Sequence, residues 1–156
     1  MQRHSAGRTW YAVAALVGAV ALGGCASLKA PTLQVDGIKM RDMGITGASL
    51  DITFRVRNPN PEKLTVDKLE YELSLNGQKL GRGYEAHGFE LEGFAEEKVT
   101  SQFDVNMLTL PLAVKNTIED KDGEASVKGH FYVREEGSGS LRKLGFKAKA
   151  DLTFGR

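Results

Sequence analysis

Between Leu50 and Arg57 the chain alternates without exception. Leu50, Ile52, Phe54 and Val56 form one set, and Asp51, Thr53, Arg55 and Arg57 the other. A period of two puts successive side chains on opposite faces of an extended strand, so this stretch is written to bury one face and wet the other. Leu69, Tyr71, Leu73 and Leu75 repeat the pattern against Glu70, Glu72 and Ser74. Asn76-Gly77 follows, with Leu80 on the return. Asn-Gly is the strongest short hairpin signal, because both central positions of a type I′ turn need positive φ.

The same rhythm recurs at Val99, Ser101, Phe103 and Val105, and at Ala125, Val127, Gly129, Phe131 and Val133. It returns at Phe146, Ala148, Ala150, Leu152 and Phe154, and Leu33 and Val35 begin it after Pro31. Between Met107 and Ile118 it fails. There Leu108 and Leu112, with Thr109 as cap and Pro111 in the first turn, predict one short helix. Gly137-Ser138-Gly139-Ser140 reads as a flexible loop before the last strand. About seven strands with close turns and one short helix predict an all-β fold, an antiparallel β-sandwich. Neither an internal repeat nor a second domain is visible.

The N-terminus has a different character. Residues 1–8 carry Arg3 and Arg8 and no acid, and Trp10 to Leu22 is an uncharged run of 13 residues. That is short of the roughly 20 apolar residues a bilayer span needs. A basic start, a short apolar run and small residues after it form a secretory signal. The run ends in Leu22-Gly23-Gly24-Cys25, which resembles the lipobox of bacterial lipoproteins, where the cysteine thiol receives a diacylglyceryl group and cleavage leaves it as the first residue. Cys25 is the only cysteine of the chain, and a thiolate is the nucleophile such a transfer requires. Two or more acyl chains would anchor stably where one would not. The expected division is a signal peptide at 1–24, a lipidated tether at 25–31 and a sandwich domain at 32–156. Ala26, where an aspartate would favour inner-membrane retention by analogy, points to the outer membrane facing the periplasm.

Composition narrows the chemistry. The chain is 41% hydrophobic and 26% charged, with 21 basic against 20 acidic residues. The first 24 residues hold two of the basic residues and no acid, so the remainder carries 19 against 20, a net −1. This balance gives no footprint for nucleic acid. One cysteine excludes an internal disulfide and a thiolate-rich metal centre, and three scattered histidines offer no metal cluster.

Arg57-Asn58-Pro59-Asn60-Pro61 closes the strictest strand. The prolines push their predecessors into extended geometry, and the asparagine side chains can bond nearby backbone groups, giving a rigid, self-capped exit. Its context is Phe54 to Asn60, Leu64-Thr65-Val66, Leu69 to Gly77 and Leu80-Gly81-Arg82-Gly83. That series resembles the type-2 late embryogenesis abundant family, whose unit is also called the water stress and hypersensitive response domain. The resemblance spans roughly residues 33–154. It implies an immunoglobulin- or fibronectin-III-like sandwich with one helix, and a part in desiccation and other stress responses. It also implies no catalytic residues, no cofactor and, for bacterial members, a frequent lipoprotein signal. In this match Asn58, Pro59 and Asn60 are structural.

Other motifs have plainer readings. Gly81-Arg82-Gly83-Tyr84-Glu85-Ala86 has the form of a dinucleotide fingerprint, but it follows a hairpin and no helix follows it. Glu119-Asp120-Lys121-Asp122-Gly123-Glu124 lacks calcium-loop spacing and reads as a solvated turn. His87 and His130 have no catalytic partner in sequence, and His130 shares an exposed strand face with Lys128 and Tyr132. The acidic stretch 85–97 and the basic stretch 141–149 are solvated faces, opposed patches or a docking surface.

The expectation is a non-enzymatic, lipid-anchored envelope protein that protects under water stress by weak binding of protein clients or envelope components. The first alternative is a periplasmic adaptor or scaffold for a specific envelope protein. A second is a binder of a small apolar or acyl ligand between the sheets.

Overall fold

The computed structural model describes residues 27–120 and 123–151. Leu22, Gly23, Gly24 and Cys25, the end of the last strand at Leu152 and Phe154, and Lys121 and Asp122 lie outside the described residues. Within them the alternating stretches form eight strands: β1 (Thr32–Met43), β2 (Gly47–Arg57), β3 (Leu64–Leu75), β4 (Gln78–Glu85), β5 (Phe89–Leu91), β6 (Glu96–Asn106), β7 (Glu124–Glu135) and β8 (Leu141–Asp151). A 3-10 turn (Met107–Thr109) and a helix, α1 (Leu112–Asp120), stand between β6 and β7.

The strands make two antiparallel sheets. One has the order β1-β2-β6; the other runs β4-β3-β7-β8, with β5 paired to the first residues of β3. The eighth strand is β5, three residues too short to show a period. The sandwich fold with one short helix is as expected, and the inward faces are those the alternation names. Leu50, Ile52, Phe54 and Val56 of β2 are buried against Leu69, Tyr71, Leu73 and Leu75 of β3 and against Val127, Phe131 and Val133 of β7.

Tyr71 links the two layers. Its ring lies between Phe54 and Phe103 of the opposite sheet, with centroids at 5.1 and 6.1 Å. Its hydroxyl donates to Ser101 Oγ across the core at 2.9 Å. Gly83 makes this possible: a Cβ there would stand 2.4 Å from Tyr71 Cζ. The interior is filled, and the space beside Ile38, Leu50, Leu75 and Ile118 is only about 10 Å³.

The helix departs from expectation in detail. Asn106, not Thr109, caps the break: its Oδ1 accepts the Leu108 amide at 3.0 Å, and the Thr109 hydroxyl turns back to the Asn106 carbonyl. Leu110 is extended, as the residue before a proline tends to be, so the segment splits into a 3-10 turn and a separate helix. The Pro111 carbonyl then accepts the Val114 and Lys115 amides. Met107, Val114 and Ile118 face the core, while Leu108 and Leu112 are exposed.

The register sorts the loops into two ends. Thr32 pairs with Arg57, Arg57 with Glu96, and Leu64 with Glu135. The chain therefore enters at a base made of residues 58–63, 92–95 and 136–140. The opposite end carries the β1–β2 turn, the Asn76-Gly77 hairpin, the 3-10 turn and α1. Both hairpin residues have positive φ, +47° at Asn76 and +79° at Gly77.

Candidate functional site

At the base, the Asn-Pro-Asn segment is the centre of a hydrogen-bonded node. Asn58 and Asn60 are buried, 0% and 5% exposed. Burying an amide side chain without partners costs several kcal/mol, and here every polar atom is engaged. Asn58 Nδ2 donates to the carbonyls of Glu62 (2.8 Å), Leu91 (3.2 Å) and Glu92 (3.2 Å). Its Oδ1 accepts from the Asn60 amide at 2.9 Å and from Asn60 Nδ2 at 3.0 Å. The Asn58 amide donates to the Ala95 carbonyl, and the Phe94 amide to that of Asn60.

Asn60 holds the incoming chain. Its Oδ1 accepts the Lys29 amide and its Nδ2 donates to the Lys29 carbonyl, both at 2.8 Å. This is a two-point clamp on a backbone 31 residues away in sequence. The bond from the Asn60 amide to Asn58 Oδ1 is the local Asx bond that the motif suggests. The bonds to residue 29 and residues 91–92 are not visible in any local pattern. Pro59 is half-buried and lends the exit its rigidity.

The opposite end has no charge over two segments. Residues 43–50 and 105–114 contain no Asp, Glu, Lys or Arg, and the register Gly47–Asn106 joins them. The Met107 amide donates to the Thr46 carbonyl at 3.1 Å. On this surface Ile45, Leu108 and Leu112 are 92%, 64% and 72% exposed. Coinciding exposed apolar residues mark an interaction surface more often than scattered ones do. The signal was available in sequence, as two uncharged stretches in a chain that is 26% charged, but only the register brings them together.

A third feature is a shallow groove of about 930 Å³ on the outer face of the larger sheet, lined among others by Glu72, Arg82, Tyr84, Lys128, Gly145 and Lys147. Glu70 and Glu72 lie within it. Lys68 and the Tyr132 hydroxyl hold the Glu70 carboxyl below the usual range, and Lys79 and Lys128 do the same for Glu72.

The remaining sequence candidates stand apart. His130 is exposed on β7. His87 is exposed and its Nδ1 lies 2.8 Å from Glu85 Oε1. Gly81 to Glu85 run along β4, and no helix opens after them. Among the described residues no group of three or more His, Cys, Asp or Glu converges on one point. Nor is any described helix long and apolar enough to cross a membrane.

A family model described as late embryogenesis abundant protein (LEA_2) matches residues 53–145. Among solved structures, the chain is similar to a protein of Arabidopsis thaliana determined in solution, with 12% identity, TM-score 0.62, and 80% of this chain and 82% of that one covered. It is also similar to a structural-genomics target determined by X-ray, with 12% identity, TM-score 0.52, and 78% and 84% covered. An Archaeoglobus fulgidus protein aligns at 15% identity and TM-score 0.49, covering 83% of this chain and 99% of that one. A search of curated proteins gives no significant match.

Proposed function

The chain belongs to the LEA_2 family, which is generally non-enzymatic and associated with water-stress protection, and from that membership we propose a lipid-anchored protectant of the bacterial envelope. Residues 1–24 direct export, Cys25 carries the acyl chains, and Ala26 assigns the protein to the outer membrane, facing the periplasm. The tether is short: Lys29 is already clamped by Asn60. Anchored at Cys25, the sandwich would stand base down.

The observation that carries the reading is the uncharged, apolar end around Ile45, Leu108 and Leu112. It lies a strand's length, roughly 40 Å for twelve residues, from the entering chain. Weak apolar contacts there suit stretches of protein exposed by drying or osmotic shock. The same end would also serve an adaptor for one envelope protein. Crosslinking separates the two, since an adaptor recovers a single dominant partner.

Strains carrying the wild-type gene, a deletion, or Cys25→Ser test the proposal. The account expects lower survival after drying in the deletion strain. It also expects Cys25→Ser protein to incorporate no labelled fatty acid where the wild type does. Equal survival of wild type and deletion would refute the stress role, and equal incorporation of labelled fatty acid into wild-type and Cys25→Ser protein would refute the anchor.

A further inference from the structure

We propose that the outer face of β4-β3-β7-β8 binds a linear polyanion, a chain carrying repeated carboxylate or phosphate groups. Four cations line the groove (Arg82, Lys128, Lys143 and Lys147) against two carboxylates, Glu70 and Glu72, and Lys68 and Lys79 pair with those same carboxylates from beside it. The surplus is notable in a chain whose overall charge is +1.

The two carboxylates are already committed. Glu72 meets Lys79, meets Lys128 at 3.0 Å, and lies 3.9 Å from Arg82 Nε. Glu70 meets Lys68 and accepts the Tyr132 hydroxyl at 2.8 Å. Lys143 rides over the Tyr132 ring, its Nζ 5.6 Å from the centroid. Lys147 pairs with Lys128 directly across the β7–β8 register. Among the described residues no carboxylate lies within 4 Å of Lys147 Nζ. Like charges directly opposite on a sheet are destabilising, and an anion bridging the two ammonium groups would remove that cost.

The shape of the face adds to its charge. A concave surface with a surplus of one sign of charge focuses the resulting field. The groove crosses four strands, three spacings of about 4.8 Å or roughly 14 Å in all, enough for several repeats of an extended chain. Gly145, opposite His130, keeps the floor low: a Cβ there would meet nothing closer than 3.8 Å. Tyr84, 66% exposed, offers a ring face at the rim.

The test uses the full chain in neutral detergent with four labelled probes: polygalacturonate, inorganic polyphosphate, neutral dextran and a single-stranded DNA oligonucleotide. Saturable, salt-sensitive binding of polygalacturonate alone identifies a uronate glycan, of polyphosphate alone a phosphate chain, and of both a site selective for charge. All three support the proposal. Arg82→Glu with Lys147→Glu should weaken that binding about tenfold or more, equivalent to about 1.4 kcal/mol. Gly145→Ile raises the floor from a position whose Cβ meets nothing closer than 3.8 Å, and should also weaken binding, with thermal melting confirming that the variant is folded. No binding of either polymer, equal binding of dextran, or variants that bind like the wild type would each overturn the proposal. DNA bound more tightly than both polymers would replace it with nucleic-acid binding.

Discussion

Asn58 satisfies three carbonyls and two N–H donors from a side chain that water does not reach. Asn58→Ala removes every one of those bonds at once, and a buried group left unpaired costs about 1–3 kcal/mol. The expected loss is about 3 kcal/mol, read from the midpoint of urea unfolding. Pro59→Ala only frees the chain, and should cost less than about 1 kcal/mol. The pair was legible in sequence as a rigid strand exit with an Asx bond. Its grip on Lys29 and on residues 91–92 was not, because those partners are set by how β1, β2 and β5 register, not by local spacing. Tyr71 gives a pH signature at the same scale. Burial pushes its hydroxyl up to about 12, and the Ser101 bond pulls back only in part. The folded state thus keeps a proton that the unfolded chain releases near pH 10. The associated stability is complete below that pH and is lost between pH 10 and 12, at about 1.4 kcal/mol per unit. Tyr71→Phe should cost about 1 kcal/mol at neutral pH and flatten this part of the alkaline decline relative to wild type.

At the scale of elements, α1 shows where a periodicity argument stops. Leu108 and Leu112 are the apolar residues expected to start the helix, yet they point outward. Pro111 forces Leu110 to be extended, which rotates the helix that follows and gives the buried face to Val114 and Ile118. Ile118→Ala should therefore cost about 2–4 kcal/mol as a core truncation, and Leu112→Ser less than about 0.5 kcal/mol; thermal unfolding of the two variants checks both. The strands were easier to read. Those of the sandwich interior bury one face each, so their alternation is nearly unbroken. β8 is an edge strand whose Phe146, Ala148 and Ala150 are only half-buried, and β5 is too short to carry a period. The Asn76-Gly77 hairpin was legible because positive φ at two consecutive positions narrows the choice of residues severely.

For the whole molecule, the arrangement of the two ends is what joins fold to function. The base sews the entering chain to three loops, and the far end carries the uncharged segments 43–50 and 105–114 with Ile45, Leu108 and Leu112 exposed. Neither end is a property of one element: each is assembled by pairing strands from distant parts of the chain. The measurement that bears most directly on the account is protection of a dried and rehydrated test enzyme by the full chain. Its comparison is a triple variant, Ile45→Ser, Leu108→Ser and Leu112→Ser. All three side chains are exposed, so the variant should melt as the wild type does. The account predicts that the wild-type chain keeps the enzyme soluble and active and that the triple variant loses most of that protection. Equal protection by both chains, with folding intact, would contradict it.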